Sequence, residues 1–165
     1  MDTPFIRPAT VQDIEALIRL YTEFHAFHIR GVPDRLRLSD TSGNCSDGDL
    51  PSIIADLLHR DDVAIFVATV GPALVGLAEV YIREDTPNPY IVPHRYGHLQ
   101  SLIVSAPYRK LRLGKQLVAA AHSWAREHGA TEMQLNVWEF AEGPLHFYEK
   151  LGYRTLKRLL VVDIA

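Results

Sequence analysis

The chain has 165 residues, of which 47% are hydrophobic and 22% are charged, and its formal net charge is −3. This length and composition predict one folded domain over residues 1–165, and they exclude a disordered chain, a nucleic-acid-binding protein coated in basic charge and, since no apolar stretch approaches ~20 residues, a membrane-spanning protein. The single cysteine, Cys45, cannot form an internal disulfide and is typical of a reducing compartment, so we expect a cytoplasmic protein.

The first half of the chain predicts two helices followed by a β-hairpin. Apolar residues recur at helical spacing after Thr10, which can cap a helix, whereas β-branched residues dominate after residue 62. In chain order, the predicted elements are a strand at 5–7, a helix from Thr10 to about Phe27, a long loop at 39–49, a helix around 53–58, and strands at 63–70 and 73–83 joined by a turn at Gly71 and Pro72.

The second half alternates strands and helices. Residues 84–96 contain three prolines and predict a surface excursion, while Gly129 and Gly152 can end helices in the left-handed conformation. The predicted elements are strands at 97–105, 131–138 and 153–163, with helices from Leu113 to Gly129 and at 145–151. This order indicates a mixed α/β fold around one central sheet.

Four basic residues lie where a strand meets the start of the helix at Leu113: Arg109, Lys110, Arg112 and Lys115. The first amides of a helix lack intrahelical partners, and the positive end of the helix dipole adds to them, so this junction can bind a phosphate. A solvated basic turn is the alternative. The residues do not match a P-loop, because Arg109 and Gln116 stand where that motif needs glycine and a hydroxyl residue.

The run from Arg109 to Gly114 resembles the signature of the GNAT superfamily of acetyltransferases: Arg or Gln, two residues, Gly, one residue, then Gly or Ala, after a strand that ends in Leu-x-Val. Arg112 replaces the first glycine of this signature. The run from Leu135 to Tyr153 is similar to the last strand, helix and strand of the same superfamily. The resemblance implies a single, mostly antiparallel sheet flanked by helices, and an N-acetyltransferase that uses acetyl-CoA.

The resemblance also implies where the cofactor lies. Main-chain amides at the start of the helix hold the pyrophosphate, and main-chain groups of the preceding strand pair with the pantetheine arm and the acetyl carbonyl. The residues implied in cofactor binding are Leu102, Ile103, Val104, Arg109, Lys110, Leu111, Arg112, Leu113, Gly114, Lys115 and Tyr148.

Attack of a neutral amine on a thioester requires one group that removes a proton and another that delivers one. Tyr148 occupies the general-acid position that the resemblance implies. His98 is the first candidate for the base, because imidazole titrates near neutral pH, and Glu79 is the second; a water chain is a further alternative. A covalent route through Cys45 is disfavoured, since nothing near it in the sequence would activate the thiol.

Aromatic and histidine side chains of the first helix and the hairpin suit recognition of a cationic amine. The candidate acceptor-binding residues are Tyr21, His25, His28 and Tyr81, and no HExxH pattern suggests that the histidines bind a metal. We expect the acceptor to be the primary amine of a small molecule or peptide. Neither a nucleic acid nor a membrane is expected as a partner, while assembly as a homodimer is left open. The alternative function is a non-catalytic sensor or recruiting module that binds coenzyme A.

Overall fold

The computed structural model describes residues 3–38 and 49–164, so most of the loop predicted at 39–49, with Cys45, lies outside the described residues. Short 3₁₀ turns at Val11–Asp13 and Ala106–Tyr108 join regular elements. In chain order those are β1 (Phe5–Pro8), α1 (Ile14–Gly31), α2 (Leu50–Leu58), β2 (Val63–Val70), β3 (Ala73–Glu84), β4 (Arg95–Val104), α3 (Leu113–Glu127), β5 (Glu132–Gln134) and α4 (Leu145–Lys150).

The five strands form one sheet in the order β1-β2-β3-β4-β5. The neighbours from β1 to β4 are antiparallel, and β5 is parallel to β4 because α3 carries the chain back across the sheet. The predicted mixed, mostly antiparallel sheet is therefore confirmed. Gly129 and Gly152 follow α3 and α4 with φ of 81° and 90°, the left-handed conformation that the sequence predicts at these helix ends.

Helices cover both faces of the sheet. One buried cluster lies under α1 and α2 and comprises Leu17, Leu20, Tyr21, Ile54, Ile65, Val67, Leu77 and Ile103. The other lies under α3 and α4 and includes Val80, Leu99, Leu117, Ala121 and Tyr148. A β-carbon on Gly97 would lie 2.9 Å from that of Ala125, so this glycine lets α3 lie directly against β4. This close packing places the end of α3 against the start of β4.

The start of α1 is tied to β1 by a partly buried ion pair. Two nitrogens of Arg7 lie 2.7 and 2.8 Å from the carboxylate oxygens of Asp13. The main-chain N–H of Thr10 donates to the same carboxylate at 2.8 Å. The hydrogen bond from Arg7 outweighs the effect of burial and lowers the pKa of Asp13 to about 2. Thr10, which the sequence predicts as the cap of the first helix, is thus held by the carboxylate of Asp13.

Three predicted boundaries differ from the structure. The first helix runs to Gly31 instead of about Phe27, and the strand predicted at 131–138 pairs only over Glu132–Gln134. The last strand, predicted at 153–163, is wrong for the single chain: residues 154–164 are exposed and belong to no strand. Its apolar, β-branched composition favours a strand, but a strand also needs a pairing partner, which these residues lack among the described parts of the chain. Among the described helices, none is both long and apolar enough to cross a bilayer.

Candidate active site

A cleft opens where β4 and β5 separate. Residues 96–98 of β4 pair with residues 132–134 of β5. Beyond this short pairing β4 continues alone to Val104. Along Leu99–Val104 one edge of β4 therefore has no strand beside it in the described chain. Its main-chain groups can pair with an extended ligand, as a further strand would.

Two left-handed residues shape the turn at the end of this cleft. Lys110 and Arg112 have φ of 76° and 59°, and Arg112 is the residue that directly precedes α3. Left-handed backbone is the conformation that glycine adopts without cost, so Arg112 stands at a position whose backbone suits the glycine of the signature. Arginine at this position adds a positive charge beside the start of α3.

The first amides of α3 are available to bind an anion. The first hydrogen bond at this end runs from the N–H of Gln116 to the carbonyl of Arg112, at 3.2 Å. Within the described residues, the N–H groups of Leu113, Gly114 and Lys115 have no acceptor. Unpaired amides at the positive end of a 15-residue helix form an anion site.

Arg109 does not project freely toward this anion site. Its Nε donates to the carbonyl of Val104 at 3.0 Å, and its guanidinium lies 5.8 Å from the centre of the Phe27 ring. The carboxylate of Glu23, 3.8 Å from the same guanidinium, also accepts from the hydroxyl of Ser105 at 2.7 Å. Glu23 and Arg109 thus tie the turn to α1. The remaining basic side chains of the turn are left to neutralise a bound phosphate.

Glu23 was not found by sequence reasoning. It lies among other polar residues of α1, more than eighty positions before the turn, and belongs to no motif. Only the packing of α1 against the end of β4 brings it there, where it also accepts from the N–H of Ala106 at 3.1 Å.

Tyr148 lies on α4, in the buried cluster beneath α3, with 8% of its surface exposed. Burial, and to a smaller extent the neighbouring Tyr153, raises the pKa of its phenol. The rings of the two tyrosines are 5.5 Å apart, and the hydroxyl of Tyr153 is held 2.6 Å from His122 Nε2. The Tyr148 hydroxyl makes no hydrogen bond to a described residue. It is therefore a protonated donor that is free to contact a ligand.

A buried carboxylate lies on the α1 face of the sheet. Glu79 is 5% exposed and accepts hydrogen bonds from three hydroxyls. The donors are Tyr21 at 3.0 Å, Ser101 at 2.9 Å and Tyr81 at 2.6 Å. Burial, reinforced by Glu79, raises the pKa values of both tyrosines, which keeps them protonated as donors. Within the described residues, no lysine or arginine pairs with this carboxylate.

Comparison with known proteins identifies the family. Residues 30–153 match the Acetyltransferase (GNAT) family. The chain belongs to this family. Among its relatives, the aminoglycoside N(6')-acetyltransferase type 1 of Salmonella enteritidis is 24% identical over 149 residues, 87% of this chain and 94% of that protein. The glucosamine 6-phosphate N-acetyltransferase of Trypanosoma brucei brucei is 30% identical over 113 residues, 67% of this chain and 73% of that protein.

Solved structures share the fold of this acetyltransferase. The aminoglycoside N-acetyltransferase AAC(6')-Iy in complex with CoA superposes with a TM-score of 0.73 and 19% identity, covering 99% of this chain and 95% of that one. A tetramutant of the BH1408 protein from Bacillus halodurans gives a TM-score of 0.83 and 22% identity, covering 97% and 99%. The fold class and the family expected from the sequence are confirmed. The chain is an N-acetyltransferase that uses acetyl-CoA.

The geometry fits this cofactor. The unpaired amides at the start of α3 suit a pyrophosphate. The edge of β4 at residues 102–104 has no described strand beside it and suits the amide groups of a pantetheine arm, although the carbonyl of Val104 already accepts from Arg109. When bound, acetyl-CoA supplies an acetyl thioester, which an amine can attack. The positions that the sequence assigns to cofactor binding fall into two groups. Lys110, Leu111, Arg112 and Lys115 are exposed, whereas Ile103, Leu113 and Tyr148 are buried and Arg109 is engaged with α1.

The histidines of the acetyltransferase have different surroundings. His98 is buried on β4, opposite Tyr81 on β3, and burial together with the charge of Arg83 lowers its pKa. Burial also lowers the pKa of His25, with a smaller contribution from His28. His28 donates from Nδ1 to the carbonyl of Phe24 at 2.9 Å and packs 4.4 Å from that ring. The structure thus joins Tyr21 and Tyr81 to Glu79, while His28 belongs to an aromatic cluster.

Proposed function

We propose that this acetyltransferase acetylates the primary amine of a small molecule that carries a second, positively charged amino group. The observation that carries the proposal is the buried carboxylate of Glu79, whose hydrogen-bond donors are all neutral hydroxyls. A buried anion without a cationic partner attracts one, because charge attraction is strong where water is excluded. An ammonium group of the acceptor would supply the missing positive charge.

Two charges are needed for a chemical reason. The amine that attacks the thioester must be neutral, whereas the group that binds beside Glu79 gains most when it is protonated. One amino group cannot satisfy both conditions at once, so an acceptor with two amino groups fits the site best. A relative that matches over 149 residues is named for an aminoglycoside acceptor, a class of small molecule with several amines, which supports this choice over a peptide terminus.

We assign the proton transfers from the surroundings of each side chain. His98 is the base, since burial keeps its imidazole neutral at physiological pH and so able to accept the amine proton. Glu79 is the second candidate, and its carboxylate is already engaged by the hydroxyls of Tyr21, Ser101 and Tyr81. Tyr148 donates its phenolic proton toward the departing sulfur as the new C–N bond forms and the C–S bond breaks. The sulfur leaves as a thiol, and solvent exchange restores both side chains.

The acid and the acceptor site lie on opposite faces of the sheet. Tyr148 belongs to the cluster under α3, and Tyr21 to the cluster under α1. The cleft beside β4 lies between them, so a thioester in this cleft would have the acid on one side and the acceptor on the other. We also infer that residues 1–165 act as one domain, which the single sheet of the described residues supports. A cytoplasmic location is proposed from the single cysteine alone.

Matched acceptors test the proposal. Thiol release from acetyl-CoA is measured with 1,6-diaminohexane and with hexylamine, which differ by one amino group. We expect kcat/KM to be roughly tenfold higher for the diamine, the effect of about 1.4 kcal/mol of added attraction. Glu79→Gln should remove this preference, because it keeps the shape of the side chain and loses its charge. Glu15→Gln, an exposed position on α1, should keep it.

Two results would count against the proposal. Equal turnover of the two acceptors by the unmodified enzyme would remove the role of the second amine. A preference for the diamine that survives in Glu79→Gln would place the recognising charge elsewhere. If coenzyme A binds by calorimetry while no amine of a broad panel is acetylated, the protein is a sensor and the catalytic roles are wrong.

A further inference from the structure

A row of three side chains on β3 carries opposite charges at its two ends. Glu79, Tyr81 and Arg83 alternate along the strand, so they project from the same face of the sheet. Glu79 is buried at one end of the row, and Arg83 is exposed at the other. The Tyr81 hydroxyl donates to Glu79 at 2.6 Å, while the Arg83 guanidinium lies 5.3 Å from the centre of the Tyr81 ring. One tyrosine side chain therefore separates an anion from a cation.

Arg83 also lies close to the proposed base. In the register of β3 and β4, Tyr81 stands opposite His98 and Arg83 stands opposite Tyr96. Burial, and after it the charge of Arg83, lowers the pKa of His98. The guanidinium is thus near the imidazole that would accept a proton from the acceptor amine.

The neighbouring arginines are paired with acids, whereas Arg83 is not. The guanidinium of Arg60, 5.9 Å from the centre of the same ring, holds Asp62 through hydrogen bonds of 2.9 and 2.6 Å. Arg95 pairs with Glu84 across β4 and β3. Within the described part of the chain, no carboxylate lies within ion-pair distance of Arg83. Its contact with the ring orients the guanidinium and leaves the N–H groups available to a ligand.

Charge and shape indicate the kind of group that Arg83 would bind. The planar guanidinium donates two parallel hydrogen bonds to a carboxylate or a phosphate. Arg83 supplies one positive charge, which a single carboxylate balances, whereas a phosphate monoester carries a charge of about −1.5 to −2 and needs a second cation. Arg60 is already held by Asp62. A carboxylate is therefore the better match.

We propose that Arg83 binds a carboxylate of the acceptor, which makes the acceptor an amino acid with a second amino group. This inference rests on the proposed function, because it takes the ammonium site at Glu79 as given. An acceptor that lies along Tyr81 places its ammonium group toward Glu79 and its carboxylate against Arg83. A simple polyamine fills only the first of these two sites.

Two compounds that differ by one carboxylate, L-lysine and 1,5-diaminopentane, test the inference. Their dissociation constants are measured by calorimetry with the whole protein saturated with coenzyme A, so the result does not depend on turnover. L-Lysine should bind roughly fivefold more tightly, the effect of one contact between opposite charges in water. Arg83→Gln should abolish this difference, because it removes the positive charge and keeps a polar side chain.

Two control variants separate this site from the rest of the protein. Arg126 is an exposed arginine of α3, on the other side of the sheet, so Arg126→Gln should keep the fivefold difference. Glu79→Gln should weaken the binding of both compounds equally, since each carries two amino groups, and should keep their ratio. The comparison of 1,6-diaminohexane with hexylamine tests Glu79 alone, so the two proposals can fail separately.

Four results would overturn the carboxylate site. These are equal binding of L-lysine and 1,5-diaminopentane by the unmodified protein, no binding of either compound, a difference that survives in Arg83→Gln, and a difference that Arg126→Gln abolishes as well. If instead L-lysine keeps its advantage while 1,6-diaminohexane has none over hexylamine, the carboxylate site is supported and the ammonium site at Glu79 is wrong.

Discussion

Replacement of Arg112 by glycine should make the protein more stable while weakening its hold on the cofactor. Arg112 has φ of 59°, and a side chain in left-handed backbone costs about 1–2 kcal/mol. Glycine removes this cost but gains about 0.4–1 kcal/mol of conformational freedom in the unfolded chain. The balance is a stabilisation of about 0.8 kcal/mol, the middle of a range of about 0–1.6 kcal/mol, or a rise in Tm of roughly 2–3 °C for a domain of this size.

The same change removes a positive charge next to the unpaired amides of α3. A charge near the protein surface contributes about 1 kcal/mol to a phosphate contact in water, so the KM for acetyl-CoA should rise by roughly fivefold. Thermal unfolding and initial-rate kinetics would measure the two effects on one preparation. Arg112→Ala is the matched control, because it loses the charge and keeps a β-carbon in the left-handed conformation.

Because strain and charge act separately, Arg112→Gly and Arg112→Ala should differ in Tm and have the same KM for acetyl-CoA. Arg112→Ala should therefore be no more stable than the unmodified protein, while its KM for acetyl-CoA rises as in Arg112→Gly. If alanine raised Tm as much as glycine, backbone strain would not be the cause. If neither variant changed the KM, the charge of Arg112 would have no part in binding the cofactor.

Two further changes test the acid and the N-terminal ion pair. Tyr148→Phe should lower kcat by about 10²-fold or more with little change in Tm, because it removes only a free hydroxyl; unchanged turnover would remove Tyr148 from the chemistry. The carboxyl of Asp13 has its pKa lowered from 3.8 to about 2, so it stabilises the fold fully above pH 3.8 and loses that effect as the pH falls through about 2. Asp13→Asn should cost about 2 kcal/mol at neutral pH, and the gap in unfolding free energy should close in acid; a constant gap would refute the assignment.

Much of the site was predicted from local sequence. The basic turn and the start of α3 follow from neighbouring residues, because a strand, a turn and a helix start are set within a few positions along the chain. Tyr148 came from a resemblance, and its role remains a prediction. The predicted acceptor-binding role of His28 also remains a prediction. Its ring packs among aromatic side chains of the described chain, a contact that the spacing of residues along α1 does not indicate.

The sequence by itself determined the family, the mixed fold, and the junction of β4 and α3 where the cofactor fits, since each depends on residues close together in the chain. Only the tertiary structure decided that no cation of the described residues pairs with Glu79, that Glu23 contacts Arg109, and that no described strand lies beside residues 154–164. The physical reason is the same for all three. Hydrogen bonds and strand pairs between distant residues depend on how α1 packs against the strands. The spacing of apolar residues along the chain predicts only which face of an element is buried, so it could not predict these contacts.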